Sequence, residues 1–221
     1  MKSKQKLVLV FGAAGILVGA FILAAFIYNN QRAEKLASIE KANPVENAFV
    51  RGYAQRLGPR DAKVMLVEFL DPGCETCAAM SRHVKAIVDA HPGQVQLVVR
   101  YIPLHQGADT AVKMLEAARK QGKYWETLQL MFDTQSDWAD HHHPAPEKLL
   151  EFLPSLGLDM TRLEHEMQGV DIAHILEQDV ADAKKLGVRK TPTFFVNGRA
   201  LPSFGVRQLQ ALVASQVAIN Y

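Results

Sequence analysis

The sequence predicts an α/β fold: a mixed central sheet flanked by helices, carrying an inserted helical lobe and preceded by one apolar N-terminal helix. Three observations predict it. An apolar strand pattern at Val64–Leu70 runs through an Asp71-Pro72-Gly73 turn into Cys74-Glu75-Thr76-Cys77 and a helix. A second apolar strand pattern at Val95–Ile102 follows, so this unit reads strand–helix–strand with parallel strands. After a long helical stretch, sheet returns at Thr193–Val196, where Asn197-Gly198 is a strong tight-turn signal.

The chain opens with Lys2, Lys4 and Lys6, and then Leu7 to Ile27 gives 21 residues without a charge, about 30 Å as a helix. That length matches a bilayer core. A cleaved signal peptide is the competing reading, but Leu23-Ala24-Ala25 is a poor cleavage site and Phe26-Ile27-Tyr28 prolongs the apolar run. Residues 7–28 are therefore read as a signal anchor in the inner membrane and residues 1–6 as a cytoplasmic tail. The rest is expected on the extracytoplasmic, periplasmic side of a single-pass cell-membrane protein. Without those three lysines the net charge of +2 becomes −1, and so nearly neutral a body has no electrostatic footprint for nucleic acid.

Residues 29–47 are polar and read as a linker. Ala48–Leu57 alternates weakly and is expected as the first strand, closed by Gly58-Pro59. Val64–Leu70 reads as a central strand buried on both faces, broken only by Glu68. Ala78–Ala90 carries Met80, Val84, Ile87 and Val88 at helical spacing. Helices are then expected at Asp109–Gln121, Lys123–Thr134, Pro146–Leu153, Thr161–Met167 and Asp171–Leu186. Thr161 and Glu164 suggest a capping box, and Ile172, Ile175, Leu176, Val180 and Ala183 form one stripe. Arg199–Leu201 pairs back on Thr193–Val196, and Gly205–Val217 closes the chain as a helix. Residues 48–104 and 188–221 thus make one domain, and 105–187 are a lobe inserted into it.

Cys74 and Cys77 are the only cysteines. A cysteine at a helix start faces orphan N–H groups and the positive end of the dipole, which favour thiolate. Such a thiolate can attack a disulfide, and a thiol three residues on can resolve the mixed disulfide. A structural bridge is the bland alternative, but a four-residue ring restricts the unfolded chain little. Zinc would need two further ligands, and no second C-x-x-C exists. His141-His142-His143 could bind copper or zinc, although histidine runs in loops are more often solvated surface. No metal or organic cofactor is required by this chemistry.

The order of elements is a thioredoxin arrangement. Val67-Glu68-Phe69 before the C-x-x-C, the helical insertion, and Thr191-Pro192-Thr193-Phe194-Phe195-Val196-Asn197-Gly198 resemble the DsbA-like branch of the thioredoxin superfamily from about Glu46 onward. The resemblance implies that Cys74 is the exposed nucleophile and Cys77 the resolving thiol. It implies that Pro192 is a cis-proline turning the Thr191 backbone toward the cysteines, against the plain reading of a trans strand-start proline. It makes Glu68 a buried acid under Cys77 that exchanges its proton, where the residues alone leave a solvent-facing strand-edge glutamate open. Strongly oxidising relatives carry histidine between the cysteines, whereas this chain has Glu75 and Thr76. At ~8 Å and an effective dielectric of ~20, Glu75 would oppose a Cys74 thiolate by on the order of 1–2 kcal/mol.

The sequence is therefore read as a membrane-anchored thiol–disulfide oxidoreductase exchanging disulfides with substrate proteins. The resemblance also implies a membrane redox partner that recycles the cysteine pair. A copper carrier and a partner-binding adaptor on the same fold are the alternatives. The direction of electron flow is open.

Overall fold

The computed structural model describes residues 48–140 and 143–221, together with Leu23 and Tyr28. Apart from those two residues, the expected tail, anchor and linker lie outside the described residues, as do His141 and His142. Among the described residues no helix is long and apolar enough to cross a membrane. The chain divides into two units, Met1–Glu46 and Asn47–Tyr221, and the architecture that follows belongs to the second.

Five strands form one mixed sheet: β1 (Gln55–Leu57), β2 (Val64–Leu70), β3 (Val95–Tyr101), β4 (Thr193–Val196) and β5 (Arg199–Ala200), in the order β1-β3-β2-β4-β5. β2 and β3 run parallel, as the intervening helix α1 (Glu75–Asp89) requires; the other pairs are antiparallel. The apolar run of β2 is explained by its central place between β3 and β4. Asn197 and Gly198 adopt positive φ (48° and 76°) and make the tight β4–β5 turn. The Asn197 side chain adds a second duty, accepting the Met65 N–H at 2.8 Å and so pinning the turn to β2.

Between β3 and β4 stand α2 (Ala108–Arg119), α3 (Tyr124–Asp133), α4 (Gln135–Trp138), α5 (Leu149–Phe152), α6 (Met160–Met167) and α7 (Val170–Lys185); α8 (Val206–Asn220) ends the chain. Period-two alternation divides the core. Leu66, Leu70, Leu97 and Val99 face α1, α8 and the lobe, while Val67, Phe69 and Val98 pack with Ala183 and Val188 on the other side.

Four sequence expectations are corrected. The first strand does not span Ala48–Leu57, because Arg51 and Tyr53 are drawn to Asp182 and Asp179 of α7, leaving only β1 extended. The capping box of Thr161 and Glu164 does not form: Asp159 is the N-cap and accepts the Arg162 N–H at 2.9 Å. Pro146–Leu153 is no single helix. It splits into a 3-10 turn at Pro146–Lys148, α5, and a second 3-10 turn at Leu153–Leu156, where Pro154 has no N–H to continue the ladder. On α7, Val180 is 42% exposed, and Asp179 and Asp182 take inward positions beside the apolar stripe.

Candidate functional site

The site begins with the three-residue turn after β2. Asp71 is fully buried, and its carboxylate accepts four hydrogen bonds: from the Gly73 N–H (2.7 Å), the Leu104 N–H (2.6 Å), the His105 N–H (2.9 Å) and His105 Nδ1 (2.8 Å). The Gln135 amide donates to the Pro72 carbonyl at 2.8 Å, so α4 of the lobe braces the same turn. A Cβ on Gly73 would come within 3.2 Å of the His105 Cβ and 3.3 Å of Asp71 Oδ1, which accounts for glycine there. The turn is thereby locked, and it delivers Cys74 as the N-cap of α1 in extended conformation (φ −84°, ψ 116°).

Both cysteines are free thiols with buried residue surfaces, 6% exposed at Cys74 and 0% at Cys77. The Cys74 thiol donates to the Thr191 carbonyl at 3.4 Å. The peptide bond between Thr191 and Pro192 is cis, and Pro192 is buried at the head of β4. The environment holds the Cys74 pKa down to about 5. A hydrogen bond from the Cys77 thiol is the largest cause, and burial works against it. The Thr191 side chain and the N–H groups of Cys77 and Thr76 assist. Burial, the Cys74 hydrogen bond and the Glu68 charge push the Cys77 thiol far up. The pair is thus split into one acidic and one reluctant thiol.

Glu68 stands on the sheet face that carries Leu66 and Leu70, the face covered by α1, and is 4% exposed. The strand-edge alternative is excluded by its register, since it lies between Val99 of β3 and Phe194 of β4. Burial first, and then the Cys74 charge, push its carboxyl up to about 8.

Glu75 and Thr76 stand in the first turn of α1, and both residues are exposed. Glu75 is not among the main causes of the Cys74 shift, and solvent screening reduces the penalty expected from its charge to a few tenths of a kcal/mol. Replacing Glu75 by His is accordingly expected to lower the Cys74 pKa by only about 0.3–0.5 units. Thiolate absorbance titration of both proteins checks this; a drop of a full unit, or a rise, contradicts it. Of the histidine run only His143 is described, exposed, with its N–H on Asp140 at 2.9 Å. Sequence reading missed Asp71, His105 and Gln135. An Asp-x-Gly turn signals an Asx bond to Gly73, but nothing local reveals the reach to residues 104, 105 and 135.

A C-x-x-C at a helix start, set against a proline-led strand in a mixed five-stranded sheet, defines a thioredoxin-like dithiol protein. The chain belongs to the thioredoxin family: the family's model matches residues 51–214. A thioredoxin-like oxidoreductase from Silicibacter pomeroyi DSS-3 is 33% identical, with 76% of this chain and 94% of that one covered and a TM-score of 0.66. The fold is shared with alpha-DsbA1 from Wolbachia pipientis (16% identity, 77% and 94% covered, TM-score 0.67). It is shared too with BdbD from Bacillus subtilis (22% identity, 75% and 93% covered, TM-score 0.64). A Na(+)/H(+) antiporter NhaA from Herminiimonas arsenicoxydans is 35% identical over 161 residues, covering 71% of this chain but 24% of that protein. The chain therefore spans about a quarter of the curated relatives it matches.

Proposed function

We propose that the protein is a thiol–disulfide oxidoreductase acting on protein substrates, with Cys74 as the attacking and leaving sulfur and Cys77 as the resolving one. The observation that carries this reading is the placement of the two thiols at the α1 N-terminus, Cys74 as N-cap against the Thr191 carbonyl at 3.4 Å and Cys77 one turn on and fully buried. In the oxidising direction a substrate thiolate attacks Cys74 Sγ of the disulfide, and Cys77 leaves as a thiolate that takes the proton of Glu68. A second substrate thiolate then attacks the substrate sulfur of the mixed disulfide, and Cys74 leaves as a thiolate. In the reverse direction Cys74 attacks a substrate disulfide, and Cys77, deprotonated by Glu68, attacks Cys74 Sγ. A stabilised Cys74 thiolate favours the reduced enzyme and so favours oxidation of substrates.

The Thr191 carbonyl, already paired with Cys74 across the groove beside Pro192, is the acceptor that a substrate backbone would meet. Leu7–Ile27 anchors the chain in the inner membrane with this domain in the periplasm, where disulfides persist and where a membrane redox partner recycles the pair.

Two assays with the full chain test the reading: oxidation of a reduced protein, and reduction of insulin, both in glutathione buffers that also give the potential. Cys74→Ser is expected to lose all turnover. Cys77→Ala is expected to lose it too while accumulating a mixed disulfide through Cys74, visible on non-reducing gels. Full function in a double serine variant would point instead to an adaptor.

A further inference from the structure

A second opening reaches Glu68. Between α1, α3 and the sheet lies a cleft of about 450 Å³, walled by Leu70, Val84, Leu97, Val99, Trp125 and Phe132. That is the size range of sites that hold small organic molecules. Cys74, Cys77, Thr191 and Pro192 do not line it. Its polar lining is Glu68, Ser81, Lys85, Glu126 and Gln129.

Above about pH 8, where Glu68 ionises, the charges in the cleft do not balance. Lys85 is held by Asp89 at 2.6 Å and Glu126 by Lys123 at 3.5 Å. Glu68, 4% exposed, receives no hydrogen bond from any described residue; burial and the Cys74 charge alone account for its shift. Thr127 Oγ1 is the one fully buried polar side-chain atom without a partner among the described residues, so the Glu68 oxygens open onto the cleft, and the donor that meets them comes from there. The donor that also matches the charge is a cation.

We infer that the cleft binds a small organic cation, an aryl- or alkylammonium, whose apolar body fills the space between α1 and α3 and whose N–H groups meet the Glu68 carboxylate. The other titratable groups facing Glu68 are Cys74 and Cys77 from α1, Tyr124 from α3, and Lys85 and Glu126 at the cleft. The catalytic consequence rests on the disulfide-exchange reading. A carboxylate paired with an ammonium is a weaker base for the Cys77 proton, so a bound amine slows turnover.

The test is calorimetric titration of the reduced full chain in detergent, with micelles alone subtracted, at pH 8.5. The probes are 2-phenylethylamine and its neutral counterpart 2-phenylethanol. The amine is expected to bind wild type about tenfold more tightly or better, as a charge-assisted hydrogen bond to a carboxylate warrants. That advantage is expected to vanish in Glu68→Gln, and both probes are expected to lose binding in Ser81→Phe, whose ring enters the cleft. Equal binding of the two probes, an advantage that survives Glu68→Gln, or binding that survives Ser81→Phe overturns the inference. Should Ser81→Phe fail to fold, the Glu68→Gln comparison decides alone. An amine that binds as expected to a protein without disulfide exchange would remove the proposed function and leave the cleft site standing.

Discussion

Glu68→Gln is expected to turn a nearly flat stability profile of the reduced protein between pH 5 and 8 into a rising one. Two opposed titrations make the wild type flat. Glu68 is raised from 4.5 to about 8, so its contribution to stability is full below pH 4.5 and is lost as pH climbs toward 8. Cys74 is lowered from 9.0 to about 5, so its contribution is full above pH 9 and is lost as pH falls toward 5. Each slope approaches 1.4 kcal/mol per pH unit in the shared window, with opposite sign. Glutamine keeps the shape and removes the falling slope. At pH 8 the variant is expected to exceed wild type by about 2–4 kcal/mol, the range allowing for the part of the Glu68 shift that the Cys74 charge supplies. Cys74→Ser should show the reverse, a profile that falls with pH, less steeply because that charge is gone. Urea unfolding at pH 5, 6.5 and 8 under reducing conditions measures all three. A Glu68→Gln profile as flat as wild type would refute the assignment of either titration.

Glu68 was legible in the sequence because it interrupts an otherwise apolar strand of seven residues, and a charge in the middle of a buried strand has few harmless explanations. The same logic applies to Cys74, where a strand, a tight turn and a helix in succession place a side chain at a helix start. These are local patterns with periods of two and 3.6, and they fixed β2, α1, β3, the β4–β5 turn and α8 to within a few residues. What was not legible depends on partners distant in the chain. Asp71 reads as an ordinary turn residue until β3 carries Leu104 and His105 alongside it. Asp179 and Asp182 look like solvent-facing positions on a helix whose apolar stripe excludes them. The strand expected at Ala48–Leu57 fails for the same reason, since Arg51 and Tyr53 turn away toward carboxylates more than a hundred residues later. Glu75 illustrates the opposite error. Its spacing from Cys74 was read correctly, but exposure decides what a charge at that spacing is worth.

The largest loss of stability is expected from Asp179→Ala, on the side of the sheet away from the cysteines. Arg100 alternates with Val99 and Tyr101 on β3 and so faces α7 rather than α1, with its side chain 0% exposed. There its Nη2 meets Asp179 Oδ1 at 2.6 Å and Asp182 Oδ2 at 2.7 Å, and its Nη1 donates to the Ala48 carbonyl at 2.9 Å. Asp179 also accepts the Tyr53 hydroxyl at 2.6 Å and the Tyr101 N–H at 2.8 Å, so one carboxylate ties three parts of the chain together. Removing it takes the acceptor from the Arg100 Nε, the Tyr53 hydroxyl and the Tyr101 N–H at once, while Asp182 stays on the guanidinium. Three buried donors without their acceptor, at about 1–2 kcal/mol each, cost about 3–5 kcal/mol together, and for a chain of this size that lowers Tm by about 10 °C. Asp182 keeps the Arg51 fork at 2.8 Å, so the N-terminal segment is loosened rather than released. The double replacement Arg100→Met with Asp179→Leu also removes the guanidinium and is expected to recover the part of the loss owed to Arg100. Calorimetric melting of the single and double variants reads the difference. A single variant as stable as wild type would mean that water reaches Arg100. A double variant no better than the single would mean that the Ala48, Tyr53 and Tyr101 hydrogen bonds, rather than the charge, hold this face together.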